Sequence, residues 1–141
     1  PGLSAVGFAH ELGLLDVQTL AVHCVQINED DVEILAASGV CVCLCPRSNR
    51  WIGVGDAPVS ALHASKVSLC LGTDSLASVP DLDLWQELRA MRALLPASVP
   101  LADLLALATR NPARILCIDA EIGSLEVGKR AAWTVLPEDM E

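Results

Sequence analysis

The chain has 141 residues, a hydrophobic fraction of 52% and a mean hydropathy of +0.47, enough for one ordinary domain that is unusually apolar. No apolar run approaches the ~20 residues of a membrane span, and no signal-peptide pattern appears, so neither a membrane protein nor an exported one is expected. A net charge of −9, with nine Lys and Arg against eighteen Asp and Glu, excludes a nucleic-acid binder that works through phosphate contacts.

In chain order, residues 4–12 read as the end of a helix stopped by Gly13, and LAVHC (20–24) follows as a strand. Asn28 has the character of an N-cap, with Asp31 three positions on and an acidic first turn that suits the helix dipole. Val32, Leu35 and Ala36 give that helix its apolar face, and Gly39 ends it. A second strand, Val40 to Cys45, is cut by Pro46. Asp56 is placed to cap a helix through about Ser65, with Pro58 in its first turn and Val59 and Leu62 inward, before a third strand from Val67 to Leu71. Leu82, Trp85, Leu88, Met91 and Leu95 recur at spacings of three and four, predicting an amphipathic helix over 82–95. A further apolar helix covers about 100–109, and Asn111 followed by Pro112 opens a short one. After Ile122 the texture changes, with a turn at Glu126 to Lys129 and a β-like segment from Ala132 to Leu136. The expected division is therefore 1–121 as an α/β layer and 122–141 as a segment of a separate small sheet.

Strands that are almost wholly apolar and alternate with helices predict a parallel sheet, whose chemistry belongs at the carboxyl ends of the strands. Three such strands cannot close a barrel. They form an open sheet or part of an eight-stranded one, and an over-apolar chain of this length is expected to be a piece of something larger. Of the six cysteines, Cys24, Cys41, Cys43, Cys45 and Cys70 lie within or at the end of apolar runs, leaving Cys117 outside them. They read as buried free thiols of a reduced, cytoplasmic protein. Cys41, Cys43 and Cys45 alternate along one strand but lack the spacing of a structural zinc knuckle.

Three strand ends carry the reactive residues. His23 closes the first strand, where an imidazole can bind a metal, polarise a carbonyl or relay a proton. Asp74 leaves a buried strand through Gly72 and Thr73, and a carboxylate there needs a cation, a metal or hydrogen-bond donors. In a metal hydrolase it would hold the ion and take a proton from water. Thr73, Ser75 and Ser78 are near enough in sequence to orient it. Beyond the second strand, Arg47 can meet a substrate carboxylate and Trp51 can border a pocket, while Ser48 and Asn49 read as loop-structuring residues. Glu87, with Arg89 and Arg92, reads as surface or interhelical charge; His10 and His63 read as helix-surface residues. WIGVG (51–55) is not a phosphate loop, and an acyl hydrolase using Ser48 and His23 would lack the G-x-S-x-G elbow.

Taken together, LAVHC, CPRSNRWIGVGDAPV, LCLGTDSLAS, LALATRNPARIL and IGSLEVGKRA resemble the deaminase and chlorohydrolase branch of the amidohydrolase superfamily. Within it, PRSNRWIGVG and GTDSLAS are most similar to the aminodeoxyfutalosine deaminases of menaquinone synthesis. The resemblance implies a distorted (β/α)8 barrel with a small β-sandwich, and places this chain as its C-terminal part, with the sixth, seventh and eighth strands and the terminal sandwich segment. It implies that His23 contacts substrate or the hydrolytic water, that Asp74 binds the metal and shuttles the proton, and that Ser48 and Asn49 are the seventh-strand S-N motif. The implied activity is hydrolytic deamination of an aromatic ring amine, of an adenine-type nucleoside, by water activated on one divalent ion, zinc first and iron or manganese as alternatives. The first-strand H-x-H pair and the fifth-strand histidine with its glutamate are absent, so most metal ligands are expected outside this chain. Leu44 stands where relatives often carry histidine, and Ala132 where an aspartate is common. The expected partners are the missing N-terminal half of the barrel, on the same polypeptide or another, and a small-molecule substrate; a homodimer stays open. The chain alone is expected to be inactive, and a degenerate fragment with an assembly role is the alternative.

Overall fold

In a computed structural model, described here for residues 2–135, the chain folds as three parallel strands and seven helices among the described residues. In chain order they are α1 (Ala5–Glu11), β1 (Leu20–Val22), α2 (Glu29–Ser38), β2 (Cys41–Leu44), α3 (Pro46–Trp51), α4 (Val59–Ala64), β3 (Ser68–Leu71), α5 (Leu84–Leu94), α6 (Leu101–Ala106) and α7 (Arg110–Ile115). The sheet order is β1-β2-β3, with Leu20 opposite Cys41, Cys43 opposite both Val22 and Cys70, and Leu44 opposite Leu71. Each connection between neighbouring strands contains helix, as parallel pairing requires.

Local chemistry sets the helix ends. Asn28 accepts the Asp31 N–H while Asp31 accepts the Asn28 N–H, a reciprocal capping box that satisfies two orphan donors of α2. Asp31 is itself buried and takes the Ser4 hydroxyl, which ties α1 to α2. Gly39 ends α2 with φ of 69°, a left-handed value glycine adopts without steric penalty. Asp83 caps α5, accepting from the N–H groups of Trp85 and Gln86.

Alternation along the strands divides the sheet into two faces. Ala21, Val42, Leu44, Leu69 and Leu71 face the helices and pack with Val32, Leu35, Leu62, Leu88, Met91 and Leu104 in one core. The other face carries Leu20, Val22, Cys41, Cys43, Ser68 and Cys70. There Leu20 and Val22 are 39% and 48% exposed, whereas the small thiols of Cys41 and Cys70 are buried with their sulfurs 3.8 Å apart. All six cysteines are free. The sheet is thus covered by described helices on one face, not on both.

Several elements differ from the sequence expectation. The segment after Pro46 is a helix rather than a loop: proline ends the strand but also presets φ for the first helical position. Asp56 does not cap α4, because its carboxylate pairs with Arg50 at 2.8 Å and the cap position falls to Pro58. Asn111 does not cap α7; its amide donates to the Leu69 carbonyl at 2.9 Å and pins the helix to β3. Leu82 lies outside α5 and is exposed. The turn at Glu126 to Lys129 forms, but residues 131–135 carry no strand, and Leu136 lies outside the described residues.

Leu62 is fully buried against the sheet and Leu76 is 67% exposed. Leu62→Ala should therefore cost about 2–5 kcal/mol of unfolding free energy in the intact protein. Leu76→Ala should stay within about 0.5 kcal/mol, both read by denaturant titration.

Candidate functional site

β1 ends at Val22 because the next two residues turn out of the extended region. His23 has φ of 69° and Cys24 of 49°, while the His23 N–H still donates to the Cys43 carbonyl at 2.9 Å. The chain leaves β3 in a similar way. Gly72 donates its N–H to the Leu44 carbonyl at 3.0 Å, and Asp74 then adopts φ of 63°. A Cβ on Gly72 would lie 2.9 Å from the Cys43 sulfur, so a side chain at the strand exit would have to displace that thiol. Left-handed φ at non-glycine residues costs on the order of 1–3 kcal/mol each and collects at functional sites. Both polar strand-end residues carry it.

Between them stands α3, fed directly by the central strand. Its Ser48 and Asn49 are buried and point in opposite chemical directions. The Ser48 hydroxyl donates to Oδ2 of Asp74 at 2.7 Å, and the Asn49 amide oxygen accepts from Nδ1 of His23 at 2.9 Å. The Ser78 hydroxyl also donates to Oδ2 of Asp74, at 2.7 Å, and Nε2 of His23 lies 3.9 Å from the same oxygen. An amide oxygen can only accept, so Nδ1 carries a proton and Nε2 is the ring nitrogen turned toward Asp74. The hydroxyls of Ser48 and Ser78 hold the Asp74 carboxyl below the usual carboxylate range, and the nearby imidazole adds to this.

The other expected site residues are placed differently. Arg47 is not free at a rim. Its guanidinium forms a two-point ion pair with Asp81 at 2.6 and 2.8 Å, and Nη1 also lies 3.7 Å from Glu87. That pairing pulls the Asp81 carboxyl down to about 2. The long side chain turns back because α3, unlike a loop, directs it toward the start of α5. Trp51 closes α3 and is 65% exposed, next to exposed Ile52 and Val54. Neither Thr73 nor Ser75 gives its hydroxyl to the Asp74 carboxylate; Ser78 does so.

Glu87 was legible only as a helix charge, yet it is fully buried, and its Oε2 accepts the Arg47 N–H at 3.1 Å. A signal was present: Glu87 falls on the stripe that runs through Leu84, Leu88 and Met91. His10 and His63 lie on α1 and α4. A cleft of about 210 Å3 opens at the amino end of β3 between His63, Ser68, Asp103 and Arg110. It is at the opposite end of the strand from Asp74 and shares no residue with the cluster described above.

The geometry suits one metal ligand rather than a complete metal centre. Asp74 offers a carboxylate anchored by two hydroxyls, but no group of three or more His, Cys, Asp or Glu converges as a metal would require, among the described residues. One carboxylate cannot hold a catalytic zinc, which takes three protein ligands.

The family model of the amidohydrolase family matches residues 4–140. The 5-methylthioadenosine/S-adenosylhomocysteine deaminase of Moorella thermoacetica is 40% identical over 136 residues, covering 92% of this chain and 32% of that protein. The 5′-deoxyadenosine deaminase of Methanothermobacter thermautotrophicus is 36% identical, covering 96% of this chain and 33% of that protein. Among solved structures, an adenosine deaminase from Xanthomonas campestris with bound zinc superposes with a TM-score of 0.79 at 38% identity, covering 86% of this chain and 29% of that one. The E. coli guanine deaminase superposes with a TM-score of 0.77 at 26% identity, covering 89% and 30%. The chain spans about a third of the length of the relatives it matches.

Because its hydroxyl donors stabilise the ionised form, Asp74 keeps its charge to lower pH than an ordinary aspartate, and the associated stabilisation is lost as pH falls through the depressed value. Ser48→Ala should move that protonation to higher pH. Carboxyl-carbon NMR titration of metal-free protein reads it, and an unmoved midpoint would show that Ser48 contributes nothing to the charge.

Proposed function

Since this chain belongs to the amidohydrolase family, we propose that it is the C-terminal part of a metal-dependent hydrolytic deaminase whose substrate is an aromatic ring amine of an adenine-type nucleoside. The observation that carries this reading is the convergence of His23 and Asp74, from two different strand ends, on one place held by Ser48 and Asn49. The three strands would be the sixth to eighth of a (β/α)8 barrel, in which catalytic residues sit at the carboxyl ends. β1 and β3 are the outer strands of the described sheet, so in the barrel each would pair with a strand from outside this chain. Residues 122–141 would belong to the small sandwich. The relatives' names favour adenine nucleosides with a modified 5′ position over other ring amines. The finer kinship with aminodeoxyfutalosine deaminases rests on the motifs PRSNRWIGVG and GTDSLAS alone.

Asp74 would be one metal ligand, with the others outside this chain; zinc is the first candidate, since one relative binds it. When bound, the metal lowers the pKa of water enough for attack at neutral pH. The residues of this chain manage the protons. The Asp74 carboxylate, kept ionised by Ser48 and Ser78, accepts the proton of the attacking water. His23, with Nδ1–H fixed by Asn49, presents Nε2 to receive a hydrogen bond from water or substrate; once protonated there, it can donate to the ring or the departing amine. Ammonia leaves and the ring keeps the oxygen. Trp51 would border the aromatic substrate. Arg47 is withdrawn from that role by Asp81. A decayed, inactive paralogue would be expected to surround Asp74 with apolar or collapsed contacts, whereas its surroundings are hydroxyl and imidazole. That contrast favours an active enzyme over a purely structural remnant.

The test is ammonia release by the intact protein from adenosine, 5′-deoxyadenosine, 5-methylthioadenosine, S-adenosylhomocysteine, aminodeoxyfutalosine, guanine, cytosine and a chlorotriazine. Turnover should be highest among the adenine nucleosides and should need a divalent ion. Asp74→Asn should lower kcat by about 10²–10⁴-fold with little change in melting temperature. Turnover confined to amides or esters, or full activity after metal removal, would overturn the assignment.

A further inference from the structure

Glu87 has the least expected environment in the molecule. It is fully buried on the core-facing side of α5, and its Oε1 has no hydrogen-bond partner. A buried carboxylate costs several kcal/mol unless well paired, and a buried pair replaced as a whole by apolar side chains of similar volume often serves stability as well or better. Burial accordingly pushes its carboxyl up from the ordinary glutamate range. Fold stability does not account for such a residue.

Its contacts point elsewhere. The first turn of α3 has donors to satisfy, but Cys45 at the cap position offers no side-chain bond and Pro46 has no N–H. The Arg47 N–H is therefore the first donor of the helix, and Oε2 of Glu87 accepts it at 3.1 Å. The Arg47 guanidinium, 3.7 Å from Oε1, reaches the other way to Asp81 and to the Asp83 carbonyl. Asp81 and Asp83 end the segment that starts at Asp74 and carries Ser78. One buried carboxylate thus meets the start of α3 at Arg47, whose guanidinium holds the end of the segment that carries Ser78. The next two residues of α3 are Ser48 and Asn49.

We propose that Glu87 is the positioning residue of this site: by accepting the Arg47 N–H and facing its guanidinium, it sets where Ser48 meets Asp74 and where Asn49 meets His23. Glu87 does not touch the reacting groups. It acts through α3, and a displacement of about 1 Å in such a constellation costs about 10²-fold in rate. This inference rests on the deaminase reading above for its kinetic arm only.

The experiment uses the intact, metal-loaded enzyme with Glu87→Leu and Glu87→Gln. Leucine keeps most of the volume and removes the acceptor, so kcat should fall about 30–100-fold while KM stays within about threefold, and the orphaned Arg47 N–H should lower the melting temperature without unfolding the protein. Glutamine keeps an amide oxygen for the Arg47 N–H and should recover at least about tenfold of that loss. Glu87→Leu with wild-type kcat, or Glu87→Gln no better than Glu87→Leu, would overturn the proposal. So would loss of kcat, KM and folding together. Crystal structures of both variants supply a readout independent of turnover: the Ser48–Asp74 and Asn49–His23 hydrogen bonds should lengthen or break with leucine and persist with glutamine. Unchanged bonds in the leucine variant would sink the positioning role. If the wild-type enzyme deaminates none of the nucleosides, the functional reading fails, and the two hydrogen bonds alone decide this one.

Discussion

Two adjacent buried side chains, Ser48 and Asn49, connect the outer strands of the sheet to one another. One grips the carboxylate that follows β3, and the other grips the imidazole that follows β1. Without them, His23 and Asp74 would be polar residues at the ends of strands that are not neighbours, free to choose separate rotamers. Short side chains suit this duty because they lose little rotamer entropy when fixed. Burial then strengthens each hydrogen bond and makes an unmade one expensive. The central strand thus contributes no reacting group of its own; what it contributes is the helix that sets the distance between the other two.

Much of this arrangement was legible in the residues before any coordinates. Apolar runs ending in His23 and Asp74 marked strands with polar tips, because a buried sheet leaves charge nowhere else to go. The capping box of Asn28 and Asp31 and the stripe of α5 were equally plain. What escaped was information held between elements. Pro46 looks the same in sequence whether it starts a loop or a helix, so Arg47 seemed free to reach solvent. Asp56 and Asn111 had the chemistry of caps but found partners in Arg50 and in the β3 backbone. Glu87 was misread because a charge on an apolar stripe is usually taken as an exception at the surface; here the partner that makes burial tolerable comes from a helix forty residues earlier.

The uneven coverage of the sheet fits a chain about a third the length of its relatives. Helices and core lie on the face of Val42, Leu44, Leu69 and Leu71, whereas Leu20 and Val22 remain substantially exposed on the other. In an eight-stranded barrel the second face is interior, filled by layers of side chains contributed by several strands. Small thiols at Cys41, Cys43 and Cys70 are compatible with such a crowded axis, where bulk must be shared among strands.

The left-handed backbone at His23 and Asp74 bears on how such a protein would age if its chemistry ceased to be needed. At each position the favoured replacement for backbone comfort is glycine, which would relieve strain on the order of 1 kcal/mol. Mutation would therefore run downhill in energy, away from the imidazole and the carboxylate, as soon as selection stopped opposing it. A lineage drifting toward a purely architectural life should lose these two side chains early and become sturdier as it did so. This chain still has both, held in the uncomfortable conformation.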